Sequence, residues 1–429
     1  MASTSLSRTP SSAGNRKTFT ISLWTKLSNI STARKVFINA GTATPFTNDA
    51  QTELQYRDNQ IKFGGGADNI LITTALYRDV SAWYHIVLSV DTTQATASDR
   101  LKLYVNGEQV TAFATANYPS QNDNYAFNNN VIHYIGSNLD GASSFFDGNM
   151  AHFNSIDGTA YPASTFGETD SLTGIWVPKT SPSVTYGTNG FFLKFASSGS
   201  MGTDSSGNSN NFTVNGTLTQ TQDTPSNVFA TMNPLFAGDA NITYSNGNLK
   251  LTSTASAQKN AVSTIAVSSG KWYCEMVSRN GTNYPGFGIM DSQSVLQTSV
   301  SYLGSTADSY CMFQQGDYYN NGSASSTGIT WGVGSIMGIA IDLDSATKTI
   351  KFYKDGAEVH SATIATPANG YVFAASHNTN GTISEINFGN GYFGTTAVAS
   401  AGTNASGIGI FEYDVPTGYT ALSTKGLNL

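Results

Sequence analysis

Residues 18 to 27, TFTISLWTKL, alternate apolar and polar positions with period two and place Phe19, Ile21 and Leu23 on one face, the pattern of a strand with one buried side. Similar runs follow at 35–39, 53–63, 83–91, 101–105, 131–136, 150–156 and 191–195. They resume at 242–244, 249–252, 272–277, 286–290, 335–343, 350–353, 371–376 and 383–388. The breaks between them are rich in Gly, Asn, Asp, Ser and Thr, so the chain reads as many short strands joined by turns, which predicts a sandwich or barrel. No segment sustains helical periodicity beyond one turn near Pro162 to Phe166.

Two stretches repeat one design. Residues 101–110 read LKLYVNGEQV and 350–359 read IKFYKDGAEV. Each is an alternating strand, an Asn-Gly or Asp-Gly dipeptide that tolerates positive φ, and the start of a returning strand. Between about Leu218 and Asp239 the alternation stops and two prolines appear. The predicted organisation is therefore an all-β chain of two tandem jelly-roll β-sandwiches, residues 1–220 and 241–429, with a linker at 221–240 whose Phe229, Met232, Leu235 and Phe236 pack on a domain. The tail from Gly394 carries Phe411, Tyr413, Tyr419 and Leu422, and is expected to form a return strand and closing turn.

At 429 residues, each half is long enough for a full core. Only 11% of residues are charged, so the surface is solvated mainly by hydroxyls and amides, which suits sugars or protein coats better than phosphate. The net charge of −7 with no basic cluster leaves no source for counterion release, and nucleic acid is excluded as an expected partner. No apolar run approaches a membrane span, so no membrane insertion is expected, and the start MASTSLSRTPSSAGNRK lacks the apolar core of a signal peptide. Cys274 and Cys311 are the two cysteines, and both read as small buried apolar residues.

The run WYHIVLSVDTTQATASDRLKLYVNGEQVTAF, Trp83 to Phe113, resembles the central hairpin of laminin G-like domains of the concanavalin A-like lectin and glucanase superfamily. Phe145 to Glu168 and Tyr186 to Gly216, with its DSSGN turn, resemble further strands of the same domains, so the likeness covers most of residues 5–220. The second half is similar to SPRY domains in SSGKWYCEMV, GFGIMD, GSIMGIAIDLDSATKTIKFYKDG and the FAAS and INFG strands. The tandem, with PSSAGNRKTFTIS before the first long strand, resembles structural proteins of bacteriophage virions. That resemblance implies a tail-fibre or other exposed appendage that recognises a host surface glycan or protein. It also implies other virion proteins as partners and a homo-oligomer, trimers being common among phage fibres. The alternatives are a capsid-decorating or purely structural virion subunit, and a glycan depolymerase. The jelly roll starts almost at Met1, whereas such regions usually follow a longer anchored part, so the chain reads as a fragment or a differently attached appendage.

Catalytic and metal-binding patterns are mostly absent from the sequence. Retaining glycosidases hold two carboxylates about 5 to 5.5 Å apart, which one strand supplies with E-x-D-x-E, and that pattern is absent. Glu168 and Asp170 lie in turn-like text; Asp342 and Asp344 share a face where a strand enters a turn and are expected to cap backbone amides. Asp140 and Asp147 could hold a rim calcium, but no dense run of oxygen ligands accompanies them. The histidines, His85 and His152 among them, have no i, i+4 companions, so packing roles are expected and no metal or cofactor is. The glycines at 64–66 are expected to form a hairpin turn and not a phosphate cradle. What remains is loops that set rings beside amides: Asp123, Asn124, Tyr125 and Asn128 in DNYAFNNN, and Asp317, Tyr318, Tyr319 and Asn320 in GDYYNNG. These eight are the expected ligand-binding residues.

Overall fold

The computed structural model describes residues 4–30, 32–42, 47, 49–65, 68–171, 173–236, 241–280, 285–294 and 301–428. Its chain divides into two compact units, Met1–Gln220 and Thr221–Leu429. Both are all-β, built from an eight-stranded and a six-stranded sheet, with small two-stranded additions.

In the first unit the larger sheet runs in the order Phe113–Ala116, Asp68–Thr73, Gln60–Gly65, Gln51–Arg57, Lys35–Gly41, His133–Ile135, Ser5–Arg8, Thr213–Asn215. The smaller runs Phe191–Leu193, Gly148–Asp157, Thr18–Leu27, Trp83–Asp91, Leu101–Val105, Glu108–Gln109. Every named pairing in these two sheets is antiparallel, as short connections demand. Phe19, Ile21 and Leu23 meet Leu54, Phe63, Ile86, Leu88 and Leu103 in one core, so the alternation read from TFTISLWTKL sets which side of the strand is buried.

The second unit repeats the plan. Its larger sheet centres on Lys271–Ser278, flanked by Ile336–Asp342 and Ile383–Asn387, and Thr420–Ala421 adds beside it in parallel. Its smaller sheet orders Lys259–Val262, Tyr371–His377, Gly286–Asp291, Ser309–Phe313, Asp317–Asn320, Ser323–Ser326. Phe229 and Met232 of the expected linker are buried in this unit, while Leu235 is exposed.

The two matching hairpins use one device. Asn106 and Gly107 have φ of 50° and 89°, and Asp355 and Gly356 have 49° and 86°, the left-handed pair a two-residue turn requires. The Asn106 side chain accepts from the His85 N–H at 2.8 Å and the Asp355 side chain from the Ile336 N–H at 2.8 Å, so each turn residue also caps the strand before it. A Cβ on Gly107 would meet the Trp176 ring at 3.0 Å, and one on Gly356 the Tyr413 ring at 2.7 Å. In each unit the turn glycine is thus the seat for an aromatic from a later segment that crosses the sheet.

Some expectations need correction. The 53–63 run is two strands, Gln51–Arg57 and Gln60–Gly65, because Asp58 and Asn59 both adopt positive φ, 58° and 62°. Gly64 and Gly65 belong to that second strand rather than a turn, and Gly66 lies outside the described residues. Asp317–Asn320 is a strand and not a loop, turning at Asn321 and Gly322. The single helical turn expected near Pro162 to Phe166 is present, as a three-residue 3-10 element, Ala163–Thr165.

Candidate functional site

The rings and amides expected to bind ligand are mostly structural. Tyr125 is 0% exposed and lies in the first core, its ring edge-on to Phe19 at 5.8 Å and tilted on Phe63 at 5.4 Å. It cannot stack on a ligand, which corrects the expectation. Asn128 is buried too: its amide donates to the Asn15 carbonyl at 2.9 Å, its N–H to His133 Nε2 at 3.2 Å, and its own carbonyl accepts from Gly14. Asp123 accepts from the Ser120 N–H at 2.9 Å as a turn cap, and Asn124 alone of the four is exposed.

The other four sit on one strand and point to opposite faces. Tyr318 packs inward on Phe352 and His360, 6.2 and 4.6 Å between ring centres. Tyr319 packs on the other side against Tyr302 and Phe313, each at 5.3 Å. The Asn320 amide donates to the Ser309 and Ala307 carbonyls at 2.9 and 3.2 Å, and Asp317 pairs across to Ser326. All four are half-buried, so the strand does not set free rings beside free amides.

The acidic candidates take backbone roles. Asp342 accepts from Asp344 N–H and Ser345 N–H and Oγ and pairs with Lys271 at 2.9 Å. Burial alone would raise its pKa, but the hydrogen bonds from Ser345 and Lys271 hold it well below the usual carboxylate range. Asp344 accepts from the Gly270 N–H at 2.7 Å. Asp140 accepts from Ala142 and Ser143, while Asp147 takes the Asn29 amide instead, so the two do not converge. Asp170 caps Thr173, and Glu168 is exposed on the short Gly167–Thr169 strand.

Among the described residues two buried serine–histidine pairs form, His377 Nε2 with Ser384 Oγ at 2.8 Å in the second unit and Ser22 with His85 in the first. Ser22 and His85 are both 0% exposed, on neighbouring strands of the smaller sheet, with Oγ and Nε2 2.9 Å apart. Trp176 Nε1–H donates to His85 Nδ1 at 2.9 Å, so Nδ1 is the acceptor and Nε2 carries the proton toward Ser22. A general base needs its lone pair on the serine, and here that lone pair faces the tryptophan. Trp24 stacks on the same ring at 4.6 Å. Burial holds His85 neutral, with its pKa down to about 3, so the pair is a packed polar joint.

The larger sheet of the first unit carries a different constellation. On Gln51–Arg57, Leu54 and Tyr56 enter the core, so Gln51, Glu53 and Gln55 share the opposite face. Asn39 lies directly across from Glu53, Val36 across from Gln55, and Lys62 beside Gln55 on the next strand. Glu53 accepts from Arg34 and, at 2.7 Å, from the Gln55 amide. Arg34 also reaches Asn138 Oδ1 at 3.0 Å, and the Asn39 amide donates to the same oxygen at 3.4 Å. Burial pushes Glu53 above its ordinary range against the pull of Arg34.

Four polar atoms of this file are buried with no partner: Asn39 Oδ1, Gln51 Oε1, Gln55 Oε1 and Arg34 Nε. Neighbours across strands lie about 5 Å apart and alternate residues along a strand about 7 Å apart, so Gln51 and Gln55 stand about 13 Å apart with Asn39 across from Glu53 between them, and the three acceptors form an elongated row. The Arg34 side chain is 24% exposed. Gln51-Thr-Glu53-Leu-Gln55 has the same-face spacing of a catalytic carboxylate strand with amides in place of the flanking acids. It carries no paired-carboxylate pattern; its signal is three polar side chains alternating with others on a strand whose polar side is buried.

The architecture and its loops define a chain of two jelly-roll sandwiches. Residues 2–163 match the family model of the concanavalin A-like lectin/glucanases superfamily, and residues 272–391 match the SPRY domain model. The chain carries a concanavalin A-like domain followed by a SPRY domain. Among solved structures it is similar to stonustoxin, at 19% identity and a TM-score of 0.30 over 37% of this chain and only 27% of that one. It is also similar to the SPRY domain of human HERC1, at 18% identity and a TM-score of 0.31 over 36% of this chain and 96% of that one. The TRIM65 PSpry domain is 15% identical with a TM-score of 0.29, over 37% and 91%. No curated protein matches the chain.

Proposed function

We propose that this chain is a non-enzymatic bacteriophage virion protein, an exposed tail-fibre or other appendage subunit that recognises host surface glycan through the amide file of its first sandwich. The observation that carries this reading is the set of unpartnered acceptors at Asn39, Gln51 and Gln55; they are closed to solvent, so binding calls for the partly exposed Arg34 side chain to swing off Glu53 and admit the ligand. A buried polar atom without a partner costs about 1 to 3 kcal/mol, and a ligand whose hydroxyls donate to those oxygens recovers that cost. An apolar ligand cannot. The single carboxylate, Glu53, is neutralised by Arg34, which supports binding over hydrolysis because glycosidic cleavage by carboxylates calls for two. The virion setting is supported by the resemblance of the tandem and its PSSAGNRKTFTIS opening, and repeated display on a particle would raise a weak single-site affinity.

Incubating the assembled protein with host surface polysaccharide tests the reading. Retention of the polysaccharide without release of reducing ends is expected. Release of reducing ends would establish a depolymerase instead, and no retention on any host glycan would leave the structural-subunit alternative.

A further inference from the structure

In the first unit the chain crosses from Thr18–Leu27 of the smaller sheet to Lys35–Gly41 of the larger one through a short connection that contains Asn29. Gly148 stands across from Leu27, and the Ser28 N–H donates to the Asp147 carbonyl at 3.1 Å, so Asp147 is held beside that connection. Three side chains meet there. Lys35 Nζ donates to Asn29 Oδ1 at 2.6 Å and to the Asn29 main-chain carbonyl at 3.0 Å, while Asn29 Nδ2 donates to Asp147 Oδ2. Lys35 is 4% exposed and stands across from the core residue Tyr56, with Nζ 5.4 Å from the centre of that ring.

Amine, amide and carboxylate are the parts of an acyl transfer. Nζ bonds to Oδ1, so the amine is already in contact with the carbonyl group it would attack, and such contact replaces a chance encounter with a fixed one. Burial lowers the Lys35 pKa, with Asp147 pulling the other way, and an amine whose charged form is disfavoured is the better nucleophile. The carboxylate sits on the nitrogen that would leave, where it can carry a proton from one nitrogen to the other. An ammonium kept out of water at the rim of a core costs free energy even when paired; a neutral amide in its place does not.

We propose that Lys35 and Asn29 join in an intramolecular amide bond, formed by the folded protein itself with Asp147 as proton carrier. Asp147 takes a proton from the Lys35 ammonium, and the freed lone pair attacks Asn29 Cγ. As the tetrahedral adduct collapses, one proton passes from Nζ to Nδ2 and the Cγ–Nδ2 bond breaks. The ammonia takes the proton held on Asp147 and departs as ammonium, so Nζ keeps one hydrogen and Asp147 ends as a carboxylate. No oxidant, reductant or further reactant is consumed. The closed loop spans only Asn29 to Lys35, so it restricts the unfolded chain little; its effect is to fix the crossover between the sheets and to remove a buried charge.

Mass spectrometry of the full chain, held folded at neutral pH and then denatured, reads the bond directly. The wild type should be lighter than its sequence mass by one ammonia, and trypsin should yield residues 27–34 joined to the peptide that begins at Lys35. Asp147→Asn and Lys35→Met should each show their full sequence mass. Asn29→Asp should give the same branched product, losing water in place of ammonia. The wild-type mass decides even if a variant does not fold. A wild type at full sequence mass would overturn the bond, as would loss of ammonia without the branched peptide, and a branched peptide retained in Asp147→Asn would overturn the part given to Asp147.

Discussion

Tyr125 offers a sharp contrast between a ring that binds and a ring that packs. Its hydroxyl is buried with no partner, and its ring fills the space between Phe19 and Phe63. Burial accordingly pushes its pKa well above the usual tyrosine range. Removing the oxygen while keeping the ring relieves an unpartnered hydroxyl, a gain on the order of 1 to 2 kcal/mol. For a unit of this size that corresponds to roughly 2 to 8 °C. Removing the ring as well leaves a cavity and costs about 3 to 5 kcal/mol. Thermal and urea unfolding of the whole chain, following the transition of the first unit, should therefore show Tyr125→Phe at or above wild type and Tyr125→Ala far below. Glycan retention by Tyr125→Phe should be unchanged. A Phe variant destabilised by more than about 1 kcal/mol would show that the hydroxyl has a partner after all, and lost retention would return Tyr125 to the binding site.

The neutral histidines make the first unit acid-sensitive: burial holds His85 at about 3 and His133 at about 4, below the unfolded value near 6.5. Their stabilisation is complete above pH 6.5 and is lost as pH falls through those values, by about 5 kcal/mol for His85 and about 3 kcal/mol for His133. In the second unit His377, at about 4, acts in the same direction, but Glu275, raised by burial to about 7, adds stability as pH falls from 7 to 4.5. Urea titrations at pH 7 and pH 4.5 should show the first unit losing more. Equal loss in both would contradict the assignment. Asp342→Ala removes a turn cap and the Lys271 pair, and should cost about 2 kcal/mol; chelator should not change the stability of the wild-type protein, and a chelator-dependent shift would point to a metal at Asp342.

The strand pattern and the paired turns were legible because they rest on local chemistry. Period-two alternation marks TFTISLWTKL as half-buried, and Asn106-Gly107 and Asp355-Gly356 turn where their dipeptides say. Asp58-Asn59 turns without a glycine, and so hid the division of 53–63. Asn321-Gly322 carried the familiar signal but followed four polar and aromatic residues that read as loop. The site was less legible because burial is decided by distant partners. Tyr125 is covered by Phe19 and Phe63, and Asn128 is consumed by Asn15 and Gly14. None of these is adjacent in sequence. The Gln51, Glu53 and Gln55 file was hidden for the opposite reason: exposed glutamines on a strand are ordinary, and only their burial without partners marks them.

The most direct test of the account replaces the two glutamine amides while keeping their shape. Gln51→Met and Gln55→Met together remove two unpartnered acceptors and one hydrogen bond to Glu53. The double variant should fold with stability within about 1 kcal/mol of wild type and hold the retained host glycan at least tenfold more weakly. Undiminished affinity in a folded double variant would contradict it and place recognition elsewhere on the chain.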